Sequence, residues 1–198
     1  MSLQTAVKNL ERHGFSVRVF QTGEEAVKAI SQELSGKTIG FGGSVTLDTL
    51  GLFEALSRSN DVSWHWRKTP DALKKAAASQ IYFTSANAIS ETGEIVNIDG
   101  TGNRASSMLY GHEELYIVAG TNKLAPDLAS AMDRARNIAS PLNARRLHCQ
   151  TPCALAEPMR CHDCNSPERI CNGFVTLARP TGGTGKTHVI LIEEALGY

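Results

Sequence analysis

Thr38-Ile-Gly-Phe-Gly-Gly-Ser-Val-Thr46 decides how this chain folds. A short apolar run passes into glycines, and Leu47, Leu50, Phe53 and Leu56 then recur at helical intervals, so the stretch predicts a strand, a glycine turn and a helix. The same rhythm extends upstream. Leu3, Val7 and Leu10 mark a helix that stops at Gly14, and Phe15, Val17 and Val19 then alternate with polar neighbours as a strand does. Thr22-Gly-Glu-Glu25 has the spacing of a capping box and opens a second helix, with Ala26, Val27, Ile30 and Leu34 as its buried stripe and Gly36 as its stop. Downstream, residues 62–66 predict a strand, 70–78 a helix entered through Pro70, and 81–84 another strand. Strands alternating with helices favour a parallel sheet with helices on both faces, an α/β fold.

The rhythm changes at Ser85. Residues 86–90, the turn Glu91-Thr-Gly-Glu94 and residues 95–98 read as an inserted antiparallel hairpin. Leu115-Tyr-Ile-Val-Ala119 resumes the buried-strand pattern, and Pro126 opens a long helix in which Leu128, Met132, Ala135 and Ile138 share a face. Phe174-Val-Thr-Leu177 and Val189-Ile-Leu-Ile192 supply two last strands, and no internal repeat is visible.

The chain has 198 residues, 41% apolar and 6% aromatic, which fits one domain over residues 1–198 and excludes intrinsic disorder. A chain of this length buries roughly 70% of its unfolded surface, so neither disulfides nor metal are needed merely to fold it. Twenty basic residues balance 20 acidic ones. The long-range field that draws proteins to nucleic acid or anionic membranes is therefore missing, and the expected partners are proteins or small molecules. Residues 1–10 lack the apolar core of a signal peptide, and no apolar run approaches the ~20 residues of a membrane span, so a cytoplasmic location is expected.

Gly40, Gly42, Gly43 and Ser44 sit where strand hands over to helix, a place where backbone N–H groups can hold an anion; the alternative is a tight turn with no ligand. The dinucleotide fingerprint fails because Val45 stands where its third glycine belongs. Thr181-Gly-Gly-Thr-Gly-Lys-Thr187 imitates a phosphate-binding loop, but Pro180 replaces the leading glycine and a strand follows, so a glycine hairpin is the better reading. Neither ATP nor NAD is expected. Asn103-Arg104 and Gly120-Thr-Asn-Lys123 are polar clusters that could line a crevice at the carboxyl ends of strands, or be solvated turns. Glu91, at the hairpin start, is the single carboxylate offered for catalysis, with a solvated turn residue as its alternative.

All five cysteines lie in one segment, residues 148–172, and Cys153-x7-Cys161-x2-Cys164-x6-Cys171 gives four thiols that could hold zinc or an iron-sulfur cluster. Cys149, His148 and His162 stand beside them as substitutes. A redox-active dithiol and plain reduced cysteines remain the other readings.

Taken in order, Gly40-Phe-Gly-Gly-Ser-Val-Thr-Leu47, Asn87-Ala-Ile-Ser-Glu-Thr-Gly-Glu94, Gly102-Asn-Arg104 and Val118-Ala-Gly-Thr-Asn-Lys123 resemble the LUD domain of lactate-utilisation proteins, and the likeness runs to Gly197. The resemblance implies a Rossmann-like three-layer α/β/α fold similar to sugar-phosphate isomerases and coenzyme A transferases. It also implies a link to the oxidation of L-lactate to pyruvate, in the company of iron-sulfur oxidoreductase subunits. With Asn87 from the second motif, the candidate ligand residues are Gly40, Gly42, Gly43, Ser44, Asn87, Asn103, Arg104, Gly120, Asn122 and Lys123, for a small organic acid or other anionic metabolite. Thr151-Pro-Cys153 and Cys161-His-Asp-Cys164-Asn-Ser-Pro-Glu-Arg-Ile-Cys171 resemble a signature of one branch of this family. Two function classes follow: a subunit or accessory of an acid-oxidising redox system, or a stand-alone transferase or isomerase acting on an acyl or phosphorylated substrate.

Overall fold

In the computed structural model, which describes residues 2–68 and 70–198, ten strands form two sheets. The larger contains β1 (Ser16–Phe20), β2 (Thr38–Phe41), β3 (Asp61–Trp64), β4 (Ile81–Thr84), β7 (Glu114–Gly120) and β10 (Lys186–Ile192), ordered β1-β10-β7-β4-β2-β3 with every pair parallel. The smaller contains β5 (Ala88–Ser90), β6 (Ile95–Asp99), β8 (Leu124–Ala125) and β9 (Gly173–Leu177), ordered β8-β5-β6-β9.

A parallel strand is covered on both faces, and its side chains divide between two cores. In β7 and β10, Tyr116, Val118, Ile190 and Ile192 pack with Ile30 of α2 (Gly23–Glu33), Leu47 of α3 (Val45–Thr49) and Leu52 of α4 (Leu52–Leu56). Leu115, Ile117, Val189 and Leu191 pack on the other side with Leu10 of α1 (Leu3–Arg12), Met108 of α6 (Asn103–Leu109), and Ile89 and Ile95 of the small sheet. Helices therefore cover one face, and helices with the second sheet cover the other, the expected three layers. Thr22 caps α2 by accepting from Glu25 N–H, while the Glu25 carboxylate reaches Gln21 N–H rather than that of Thr22. No described helix is long and apolar enough to cross a membrane.

Five local expectations need correction. The helix read across Leu47 to Leu56 is broken by Gly51, whose φ of 63° ends α3 and restarts the chain as α4. The strand read through residue 66 ends at Trp64, because residues 65–67 form a 3-10 turn that folds Trp66 back onto Trp64, with ring centroids 5.1 Å apart. Helix α5 (Ala72–Ala77) begins two residues past Pro70, with Asp71 at φ 55° before it. The hairpin β5–β6 is not a simple insertion. Ile89 and Ile95 face the large sheet while Ala88, Val96 and Ile98 face the long helix, so both faces require cover, and β8 and β9 join at its edges. The segment 181–187 is no hairpin either, since β9 and β10 belong to different sheets and the glycines let the connection pass between them. A Cβ on Gly183 would fall 2.5 Å from Leu109 O, and one on Gly185 2.3 Å from Glu113 O.

The long helix carries its own irregularity. It runs as α7 (Leu128–Arg134), a π turn over Ala135–Ala139 and α8 (Ser140–Arg146), with Asp127 accepting from Ser130 N–H at its start. Pro141 has no N–H to give the helical ladder, and the wider i→i−5 bond from Ser140 N–H to Ala135 O precedes it. The face that packs is Ala131, Ala135, Ala139 and Ala144, small enough to let the helix lie close on its neighbours, whereas Leu128 and Ile138 are 38% and 47% exposed.

Candidate functional site

Because β7, β4 and β2 are parallel neighbours, their carboxyl ends deliver the segments around Lys123, Ser85 and Ser44 to one edge of the sheet. There they enclose a crevice of about 260 Å³. His65 and Trp66 close one side, Asp99 to Arg104 another, and Asn143 and Arg146 of α8 a third.

Lys123 is its central cation. The side chain is only 4% exposed, and Nζ donates to Thr46 Oγ1 at 2.9 Å and Ser85 Oγ at 3.0 Å. Among the described residues it makes no ion pair. Burial, reinforced by the Arg134 and Arg104 guanidinium charges, pushes its ammonium down to about 7. At neutral pH this lysine is divided between ammonium and free amine.

Arg104 is placed by three contacts. Asp99 Oδ2 accepts the Arg104 and Ala105 backbone N–H groups, each at 2.9 Å, and Arg104 Nη2 donates to Ile98 O at 2.6 Å. Its stem crosses the glycine loop, where a Cβ on Gly42 would lie 2.8 Å from Arg104 Cγ and 3.0 Å from the Tyr82 hydroxyl. Gly43 leaves the same kind of room for Trp66 Nε1, 3.1 Å from where its Cβ would stand. The loop therefore admits side chains more than it offers amides. Gly42 N–H is spent on Phe83 O at 2.9 Å, Ser44 Oγ caps Leu47 N–H at 3.2 Å, and five-residue α3 carries little dipole. Around this, Arg146 lies 4.8 Å over the Trp66 ring, and burial followed by the Arg104 charge lowers the His65 imidazolium, which favours its neutral form.

Of the residues expected from sequence, Gly43, Ser44, Asn87, Asn103, Arg104 and Lys123 line this crevice, and Gly42 adjoins it through Arg104. Gly40 belongs to the core: its Cβ would meet Ala76 O at 2.5 Å and Ala76 Cα at 2.7 Å, so it lets β2 approach α5. Gly40→Ala should consequently cost about 1–3 kcal/mol of stability in urea unfolding while leaving ligand affinity unchanged. Gly120 is pressed against Glu194 O, and Asn122 clasps the chain end through Leu196 N–H at 3.1 Å and Gly197 O at 3.5 Å. Glu91 lies outside the crevice, where its carboxylate accepts Ser2 N–H at 2.7 Å and its carbonyl accepts Asn9 Nδ2 at 2.5 Å, tying the hairpin to α1.

Cys153, Cys161, Cys164 and Cys171 surround a separate small cavity with Arg136 and Arg169. Asp163, at φ 45°, turns its N–H onto Cys161 Sγ at 3.3 Å, and Arg136 Nη2 lies 3.8 Å from the same sulfur. Arg169 ties the strands of this loop by donating to Cys164 O at 2.5 Å and Cys171 O at 3.0 Å. Burial raises the Cys171 thiol and the Cys149 thiol, favouring their protonated forms. All five cysteines are free, and no three His, Cys, Asp or Glu side chains among the described residues are grouped closely enough to share a metal ion. The thiols thus face one space without forming an ion's ligand set among the described residues.

The family model of the LUD domain matches residues 3–192. The chain belongs to the LUD domain family. It is accordingly a protein related to lactate utilisation. No curated protein matches it. The crystal structure of a DUF162 family protein from Deinococcus radiodurans at 1.70 Å resolution is similar in fold, with a TM-score of 0.58 and 12% identity over 96% of this chain and 95% of that one.

Sequence reading missed several walls of this LUD domain's crevice. Thr46 and Ser85 carry no motif of their own, although Ser85 directly follows β4 at a carboxyl end, the place where α/β sheets put ligand contacts. A strand through residue 66 would put Trp66 and His65 on opposite faces, and the turn that brings both to the crevice has no glycine or proline to announce it. Arg146 lay beyond the reach of any motif, because the π turn sets which residues of α8 face inward.

Proposed function

We propose that this LUD domain binds a small organic acid of the lactate and pyruvate class in the crevice and serves a redox system that oxidises such an acid. The observation that carries this is the buried Lys123, which makes no ion pair among the described residues, beside Arg104, whose Asp99 neighbour turns Oδ2 to backbone N–H groups. A carboxylate supplies the missing counter-charge and can pair with the flat guanidinium fork while Ser85 and Thr46 receive a 2-hydroxyl. The volume of about 260 Å³ lies just under the ~300–1,000 Å³ of sites for drug-sized ligands, which favours a short acid over a bulky coenzyme A ester. The redox half of the reading is supported by membership in the lactate-utilisation family and by four reduced thiols held around one cavity.

Calorimetric titration tests it. L-lactate should bind, lactamide should not, and Arg104→Met should weaken lactate by at least about tenfold. The anion favours the ammonium form of Lys123, so lactate affinity should fall above pH 7 by up to about tenfold per pH unit, while His65, whose imidazolium is lowered, stays neutral. Equal affinity for lactamide, or indifference to Arg104, would remove the proposal.

A further inference from the structure

We propose that Lys123 condenses with the carbonyl of a 2-oxo acid in this crevice, forming a Schiff base. The inference rests on the organic-acid reading and goes beyond it, because it makes the lysine a covalent nucleophile and separates 2-oxo acids from 2-hydroxy acids as ligands of one site.

Three features of the geometry support it. The Lys123 amine is held at the floor of the crevice by two neutral hydroxyls, Thr46 Oγ1 at 2.9 Å and Ser85 Oγ at 3.0 Å, and not by a carboxylate that would keep it protonated. Those hydroxyls are themselves fixed. Ser85 Oγ donates to Thr46 Oγ1 at 3.3 Å, and Thr46 Oγ1 donates to Leu196 O at 3.2 Å, so Nζ is aimed by groups that have hydrogen-bond partners of their own. Arg104 lines the same crevice and can hold the carboxylate of an incoming acid, which leaves the adjacent carbonyl carbon for the amine. Desolvation and the two guanidinium charges then supply the free base: at neutral pH its share is about 1,000-fold above that of a lysine with its ordinary value of 10.5.

The step balances without an oxidant or reductant. The free amine's lone pair attacks the carbonyl carbon, a C–N bond forms, and the proton that the nitrogen sheds passes through the Ser85 or Thr46 hydroxyl to the carbonyl oxygen. The carbinolamine then takes up a second proton, loses its C–O bond as water leaves, and becomes a protonated imine. A 2-hydroxy acid has no carbonyl carbon and stops at the ion pair.

Trapping tests the inference directly. The full chain is incubated at pH 7 with pyruvate and sodium cyanoborohydride, then analysed by intact mass and peptide mapping. The expected product carries, on Lys123, a mass gain equal to pyruvic acid less one oxygen atom, in at least about tenfold excess over any other lysine. L-lactate with the same reductant should give no adduct and, in excess, should suppress trapping of pyruvate. Lys123→Arg keeps the positive charge and should not be trapped at residue 123 or above background elsewhere. Mapping of the unaltered protein carries the same information should that variant misfold. Pyruvate bound in calorimetry but not trapped, or an adduct spread evenly over the lysines, would overturn the Schiff base and leave the organic-acid site standing. Failure of lactate and pyruvate to bind at all would overturn both.

Discussion

Lys123→Met should make the protein more stable below pH 7 and unable to bind lactate. An ammonium in this position has lost its water and gained no anion, so folding disfavours it, and its value falls from 10.5 in the unfolded chain to about 7 in the folded one. Between those two values the unfolded state holds more protons than the folded state, so stability rises with pH across that window. Below about pH 7 the full penalty is present, and above 10.5 it is gone. Methionine has nearly the same length and no charge, while Thr46 and Ser85 still bond to each other. The expected gain is about 2–4 kcal/mol at pH 6, shrinking towards zero by pH 10, read from urea unfolding of both proteins at the two pH values. A gap that does not change with pH would mean that Lys123 titrates as an ordinary lysine. The variant's loss of lactate affinity, by at least about 100-fold, would show that a residue costly to the fold is retained for the ligand.

Gly42→Val should have the opposite profile. Its branched side chain would occupy the place of the Arg104 stem, whose Cγ and Cδ lie 2.8 and 3.0 Å from the position of a Cβ. The arginine stem is flexible and gives way, but its guanidinium then leaves the crevice; only the Tyr82 hydroxyl, also 3.0 Å away, resists. The expected stability cost is therefore about 1–2 kcal/mol, against a loss of lactate affinity of about 100-fold. Gly40, two residues earlier, abuts helix backbone instead, and its alanine variant should lose stability and keep affinity. If both glycine variants lose affinity in proportion to stability, the loop has no role apart from folding.

These three residues show what the sequence could disclose. The strand–turn–helix reading at Thr38 to Thr46 needed only the switch in hydrophobic period, and it located the crevice edge, since parallel strands send all their carboxyl ends to one side. Lys123 was legible for the same reason, as the last residue of a turn following an apolar run. What stayed illegible depends on contacts between distant segments. Gly40 and Gly42 are the same residue type in the same motif, yet one meets helix backbone and the other an arginine 62 positions away. The second sheet was hidden because β8 has only two residues and β9, legible as a strand, carries nothing that says which sheet it joins. The break at Gly51 and the π turn before Pro141 were visible as residues but not as consequences, since glycine and proline each occur within helices elsewhere.

The crevice is assembled from eight stretches of chain that begin at residue 43 and do not end until residue 198. No fragment of the protein owns it. An acid bound there has affinity for the native fold and none for any partly folded form, so occupancy is converted whole into resistance to unfolding: about 2.7 kcal/mol at a free concentration one hundred times Kd. The cell's supply of that acid would then govern how long each molecule survives proteases, and the protein would persist where its metabolite is abundant and be cleared where it is scarce.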